Sequence, residues 1–161
     1  MVVLGVDPGS ACTGFGVLRI EGGRARYERS GTIRAPRALP FSERLRRIHD
    51  GVAEIIAAAE VDAVAVEDVY QGINPRTASR IGHVRGVILL AAAEAGLPAY
   101  EYPPNEVKSA VVGNGLATKD QVRFMVERIL SVGRPIGSSD ESDALAVAIC
   151  HGHRAGSGAP R

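Results

Sequence analysis

The chain has no tryptophan, and only 4% of its 161 residues are aromatic. Large flat side chains cannot build its interior, so Val, Ile, Leu and Ala must do so. It has two cysteines, Cys12 and Cys150. They have neither framework nor metal-knuckle spacing, which suits a reducing, cytoplasmic compartment. Long apolar runs are missing as well. The longest, residues 86–93, is far short of the roughly 20 residues needed to cross a bilayer, so no membrane is expected. The N-terminus lacks the basic stretch and cleavage pattern of a secretory leader. Neither sign of charge is in excess: 19 basic residues stand against 18 acidic ones, for a net charge of +1. Net charge therefore gives no argument for a nucleic-acid partner.

A chain of this length forms one domain and buries roughly 68–70% of its unfolded surface. We expect a single domain over 1–153. Residues 154–161 are rich in Gly, Ala, Pro and Ser and should form a flexible tail. His151 and His153 should be solvent-facing at the end of the last helix.

The first nine residues run Met-Val-Val-Leu-Gly-Val-Asp-Pro-Gly. An apolar strand ends on a single carboxylate, Asp7, and Pro8-Gly9 turns the chain away. Residues 2–7, 13–20 and 25–33 read as three antiparallel strands, with Glu21-Gly22-Gly23 as a hairpin signal. Gly14 and Gly16 leave bare backbone where something could approach, although a bulge or twist in the hairpin explains them more simply.

Leu45, Ile48, Val52 and Ile55 predict an amphipathic helix over 41–59. Its other face carries Arg44, Arg46, Arg47 and His49, and a solvated face is the default reading of such a run. Residues 61–67 form a fourth strand, parallel to the first, and it too ends on an acid, Glu67. Two carboxylates at the same end of neighbouring strands repel unless a cation or proton sits between them.

Tyr70 follows in a loop, either as a lid over the next helix or as an exposed ring that stacks on a base. A long helix over 75–95 is apolar nearly all round in its second half, which suggests a second protein surface. Arg76, Arg80 and His83 line its first half, as a solvated face or as phosphate contacts. A peripheral strand spans 97–102, and a short helix ends at Gly113. Thr118-Lys119-Asp120-Gln121 is a capping box. Lys119 is either a plain exposed lysine or a phosphate ligand. Ser139 then caps a helix whose first turn carries Asp140 and Asp143 on one face. Acids favour helix N-termini for dipole reasons alone. Asp143, however, directly precedes a core-facing Ala-Leu-Ala-Val-Ala-Ile run, and acids at the edge of a packed face suggest a pocket.

Asp7, Glu67, Asp140 and Asp143 form an all-oxygen donor set of the kind that suits Mg²⁺ or Mn²⁺. Gathered at one sheet edge, they could hold two divalent ions for phosphodiester hydrolysis. The element order gives an α/β fold with a five-stranded mixed sheet, three antiparallel strands followed by parallel ones, flanked by helices.

Gly5-Val6-Asp7-Pro8-Gly9-Ser10, Thr13-Gly14-Phe15-Gly16, Glu67, Val107-Lys108, Val111-Val112-Gly113, Lys119 and Asp140-x-x-Asp143-Ala144-Leu145-Ala146 together resemble the RuvC family of bacterial Holliday-junction resolvases. Actin-like ATPases open with similar glycine motifs, but the later motifs are not theirs. The resemblance covers residues 2–153 and implies a ribonuclease-H-like fold. It implies a structure-selective endodeoxyribonuclease of recombination and repair, which resolves four-way junctions by paired symmetric nicks. On that resemblance Asp7, Glu67, Asp140 and Asp143 are metal ligands, with Asp7 bridging two Mg²⁺ that Mn²⁺ can replace. Lys108 and Lys119 would hold substrate phosphate, Lys119 close to the chemistry. Tyr70 stands where many members carry a stacking Phe, and some relatives have His in place of Asp140. Glu141 is one more acid that could perturb the metals. The resemblance also implies a homodimer and a partnership with the RuvA–RuvB branch-migration machinery.

Overall fold

In a computed structural model that describes residues 1–68 and 74–156, the sheet is built from five strands. Three of them, β1 (Val2–Asp7), β2 (Cys12–Glu21) and β3 (Arg24–Arg34), form an antiparallel meander. Helix α1 (Phe41–Ala59) then crosses to β4 (Ala63–Glu67), which pairs with β1 in parallel. Helix α2 (Pro75–Glu94) leads to β5 (Ala99–Tyr102), again parallel. The strand order is β3-β2-β1-β4-β5. Helices α3 (Pro104–Val112), α4 (Lys119–Leu130) and α5 (Ser139–Gly156) complete the chain.

Strand parity divides the core. Leu4 and Val6 of β1 join Val64 and Val66 of β4 in the cluster beneath α1 and α2. Val3 and Ala65 point the other way, into the cluster with α3, α4 and α5. Both faces of β1 and β4 are therefore covered, which explains their unbroken apolar runs. Asp7 shares its parity with Val3 and Gly5, and Glu67 shares its parity with Ala63 and Ala65. Both acids emerge on the α5 side.

That side is paved with small residues. A Cβ added to Gly5 would strike the Ala144 carbonyl, one on Gly14 would strike the Asp140 carbonyl, and one on Gly16 would meet Leu145. The simpler sequence reading of Gly14 and Gly16 is thus overturned, because α5 itself is what approaches the bare backbone. The irregularity in the hairpin lies elsewhere, at Val17/Leu18.

Other differences from the sequence expectations follow from particular contacts. Ser138 accepts from the Glu141 N–H at 3.2 Å, one residue before the expected cap. The last helix runs to Gly156, and His151 is 5% exposed rather than solvent-facing. Its Nδ1 lies 2.7 Å from the Tyr102 hydroxyl on the edge strand, a pairing between distant segments that local pattern does not carry. The Thr118 capping box forms as expected, and Gly113 closes α3 at φ 79°. Arg44 departs most from expectation: it is 5% exposed, while Arg46 and Arg47 beside it are exposed. Among the described residues, no helix is long and apolar enough to cross a membrane.

His49 ties the two covering helices together. Its ring lies 3.2 Å from Asp50 and 2.9 Å from Glu94 of α2. The Asp50 contact raises its pKa, burial opposes this, and Glu94 adds to the rise. A pKa raised in the folded state stabilises most below the unfolded value of about 6.5 and is lost as pH climbs through the folded value. Urea unfolding of His49→Gln should therefore show a flatter stability profile than the parent between about pH 6 and 8. Identical slopes would mean that the contact contributes nothing.

Candidate active site

Four carboxylates stand near one another where β1 and β4 end beneath the first turn of α5. Val6 pairs with Val66, so Asp7 and Glu67 leave adjacent strands at the same edge. Their side chains come within hydrogen-bonding reach of one another. The close approach of α5 over Gly14 and Gly5 brings Asp140 and Asp143 above them. Burial pushes the Asp7 carboxyl well above the ordinary range, and the charges of Glu67, Asp143 and Asp140 raise it further. Burial, then Asp143, lifts Glu67 to about 7, while the Asp7 hydrogen bond and the charges of Lys119 and Lys108 pull it down. Two acids forced toward neutrality by desolvation and by neighbouring carboxylates mark a place that favours added positive charge.

Lys119 supplies part of that charge. Its ammonium lies 2.9 Å from Asp143 at the start of α4, and this bond is the main reason its pKa rises. Lys108 reaches the same place from α3. Glu67, Lys108, Lys119 and Asp143 line a cavity of about 380 Å³, with Val107 and Val122 as its apolar wall. Open cationic side chains and acids in one cavity can hold a phosphate beside a metal-binding carboxylate set. The donors suit hard divalent cations by chemistry, being four carboxylates with no His or thiol ligand among them. Among the described residues no three metal-binding side chains already converge on one ion, and Lys119 occupies Asp143.

The structure separates the remaining expected site residues. Arg80 faces a different cavity, beside Gly9 and Ser10. Arg76 sits exposed in the first turn of α2, where the Asn74 side chain accepts its backbone N–H. Tyr70 lies outside the described residues.

Glu141 does not join the four clustered carboxylates. It is buried and accepts from the Ser30 hydroxyl at 2.5 Å, the Gly137 N–H at 2.9 Å and Arg134 at 2.5 Å. Burial alone would raise its pKa, but those bonds hold it below the ordinary value. Its work is to pin the start of α5 to β3, which fixes where Asp140 stands. Cys12 is a neighbour that sequence reasoning missed. Its thiol hydrogen-bonds Asp140, and burial followed by this contact raises its pKa. No signal in the sequence pointed to Cys12, because the contact depends on where α5 lands.

The crossover junction endodeoxyribonuclease RuvC family model matches residues 3–151. The chain belongs to the RuvC family. A RuvC from Citrifermentans bemidjiense is 45% identical over 156 residues, covering 97% of this chain and 94% of that protein. The RuvC structure from Thermus thermophilus superposes with a TM-score of 0.89 at 38% identity, covering 98% and 97% of the two chains. T. thermophilus RuvC in complex with Holliday junction substrate gives a TM-score of 0.90 at 37% identity, covering 98% and 96%. The fold is accordingly the ribonuclease-H-like one of RuvC, and RuvC membership brings a divalent-metal-dependent endodeoxyribonuclease activity on four-way junctions.

Proposed function

We propose that Asp7, Glu67, Asp140 and Asp143 hold two Mg²⁺, with Mn²⁺ as an effective substitute, and that the site nicks one strand of a four-way DNA junction. The observation that carries this reading is the burial of Asp7 and Glu67 among further acids, with Glu67, Asp143 and Asp140 raising the pKa of Asp7 and Asp143 raising that of Glu67. When bound, two such ions would activate a water and stabilise the leaving oxygen of an in-line displacement. Asp7 feels the charges of all three other acids and would be the ligand shared between the ions. Lys119, now paired with Asp143, would contact the scissile phosphate when Asp143 serves as a metal ligand. Lys108 lines the same cavity and would offset charge that develops on the phosphoryl oxygens.

Paired cutting needs two sites. A junction has approximate two-fold symmetry, and a C₂ dimer would set one site against each of two opposed strands. The face of α2 turned from the core supports this reading. Gly82 and Gly86 meet open space there, and Leu90 is 50% exposed. Small residues let a second helix come close, and Leu90 gives it apolar area. The nicks would have like polarity and leave ends that a ligase can seal. We infer a cytoplasmic protein that works with RuvA–RuvB branch migration, an inference that rests on family membership.

The test is a labelled mobile junction incubated with and without Mg²⁺. Symmetric paired nicks that require the metal are expected. Single random nicks, or cutting in a chelator, would overturn the reading. In the same assay Tyr70→Ala should lower cleavage at least about fivefold, as the loss of base stacking worth about 1–3 kcal/mol implies, with little change in melting temperature. Parental turnover would leave Tyr70 without a substrate role.

A further inference from the structure

A second cavity of about 460 Å³ opens beside the first turn after Asp7. Among the described residues Gly9, Ser10, Arg37, Phe41, Arg44 and Arg80 line it, and no acidic residue does. The larger cleft between β3 and α1 is different in kind. Its Arg29, Arg46 and Arg47 are balanced by Glu43, Asp50 and Glu54, so it offers no net attraction to an anion.

Arg44 makes the smaller cavity a built site. Its guanidinium donates to the Ser10 carbonyl, and the residue is 5% exposed. Its Nε is buried with no hydrogen-bond partner, and it forms no salt bridge among the described residues. A buried cation without a carboxylate is costly, and a donor left unmade adds to the cost. Arg80 arrives from α2, and its guanidinium carbon stands 5.6 Å from the Phe41 ring centre, as does that of Arg44. Two helices thus bring two guanidinium groups to one ring, with Arg37 beside them. Planar forked donors of this kind match phosphate oxygens.

We propose that this cavity binds a second phosphate of the strand being cut, apart from the scissile one. The proposal rests on the reading of the chain as a junction nuclease. Ser10 lies three residues beyond Asp7, hence within about 11 Å of it. At roughly 3.4 Å of rise per nucleotide, that distance covers no more than about three nucleotides. A phosphate fixed there sets the strand's register over the carboxylates, so the cavity positions substrate and takes no part in bond breaking.

The experiment uses the full chain and synthetic four-way junctions, with Ca²⁺ replacing Mg²⁺ during binding. Each junction carries one neutral methylphosphonate within three nucleotides of the cut. Parent protein should bind one of these roughly tenfold more weakly, the loss expected for a charge-assisted contact. Arg37→Gln/Arg80→Gln should bind every junction more weakly but treat that one like the unmodified junction. Both residues are exposed, so an unchanged melting temperature should verify the fold. Arg44→Lys, which keeps the charge but loses the fork, should retain only part of the discrimination.

Equal methylphosphonate losses in parent and double variant at every position would overturn the proposal. So would stabilisation by inorganic phosphate that the double variant abolishes without any change in the methylphosphonate pattern, because the cavity would then hold free phosphate. Failure of the parent to cut an unmodified junction in Mg²⁺ would instead remove the nuclease reading itself.

Discussion

Asp7→Asn is expected to abolish junction cleavage, to below about a thousandth of the parental rate, while junction binding persists. It should also make the metal-free protein more stable. Asp7 is held well above its ordinary pKa, first by burial and then by Glu67, Asp143 and Asp140. Ionising it near neutral pH therefore costs folding energy, and a neutral isostere removes that cost. A gain of one kcal/mol would raise the melting temperature by about 2–4 °C in a chain of this size. Excess Mg²⁺ should reverse the order, because it stabilises the parent by binding and has less to hold it in the variant. Calorimetric scans with and without metal read both signs. A variant that melts below the parent in chelator would mean that the carboxylates do not strain the fold.

Gly14→Ala should slow cleavage about 100-fold although residue 14 carries no functional group, as a misplacement of about 1 Å in a site can. The added Cβ would run into the Asp140 carbonyl, which belongs to helix backbone and cannot rotate away. The first turn of α5 must then move, and Asp140 and Asp143 with it. Overpacking of this kind costs about 1–3 kcal/mol, so the variant should still fold. Gly133→Ala is the matched control, since nothing lies within 4 Å of the position. Full activity of Gly14→Ala would show that the site tolerates movement of α5 and would weaken the assignment of its two acids.

These two predictions mark what local pattern could carry. The apolar runs that end on Asp7 and Glu67 told both the strands and the acids, because a buried strand must expose its first charge where it leaves the core. Parallel pairing then followed from the intervening helix, and the register of Val6 on Val66 agrees with it. Asp140 and Asp143 were legible as a same-face pair on a helix, but what they faced was not. That depended on Gly5, Gly14 and Gly16 making room for α5, a relation between segments more than 100 residues apart.

The misreadings share this cause. Arg44 looks like its neighbours Arg46 and Arg47 along the helix, and only the Ser10 carbonyl on another loop distinguishes it. Glu141 sits between two acids and reads as a third, yet Ser30 and Arg134 turn it to structural use. His151 lies in a stretch that reads as a fraying end, and Tyr102 on the far edge strand keeps it inside. Contacts of long sequence separation decided each case.

The most direct measurement is anomalous scattering from a crystal of the full chain soaked in Mn²⁺. Two peaks about 3.5–4 Å apart, sharing an Asp7 oxygen, with Glu67 and the α5 acids completing the ligands, are expected. Density confined to other carboxylates, with none at Asp7 when activity is supported by Mn²⁺, would contradict the assignment of the metal centre.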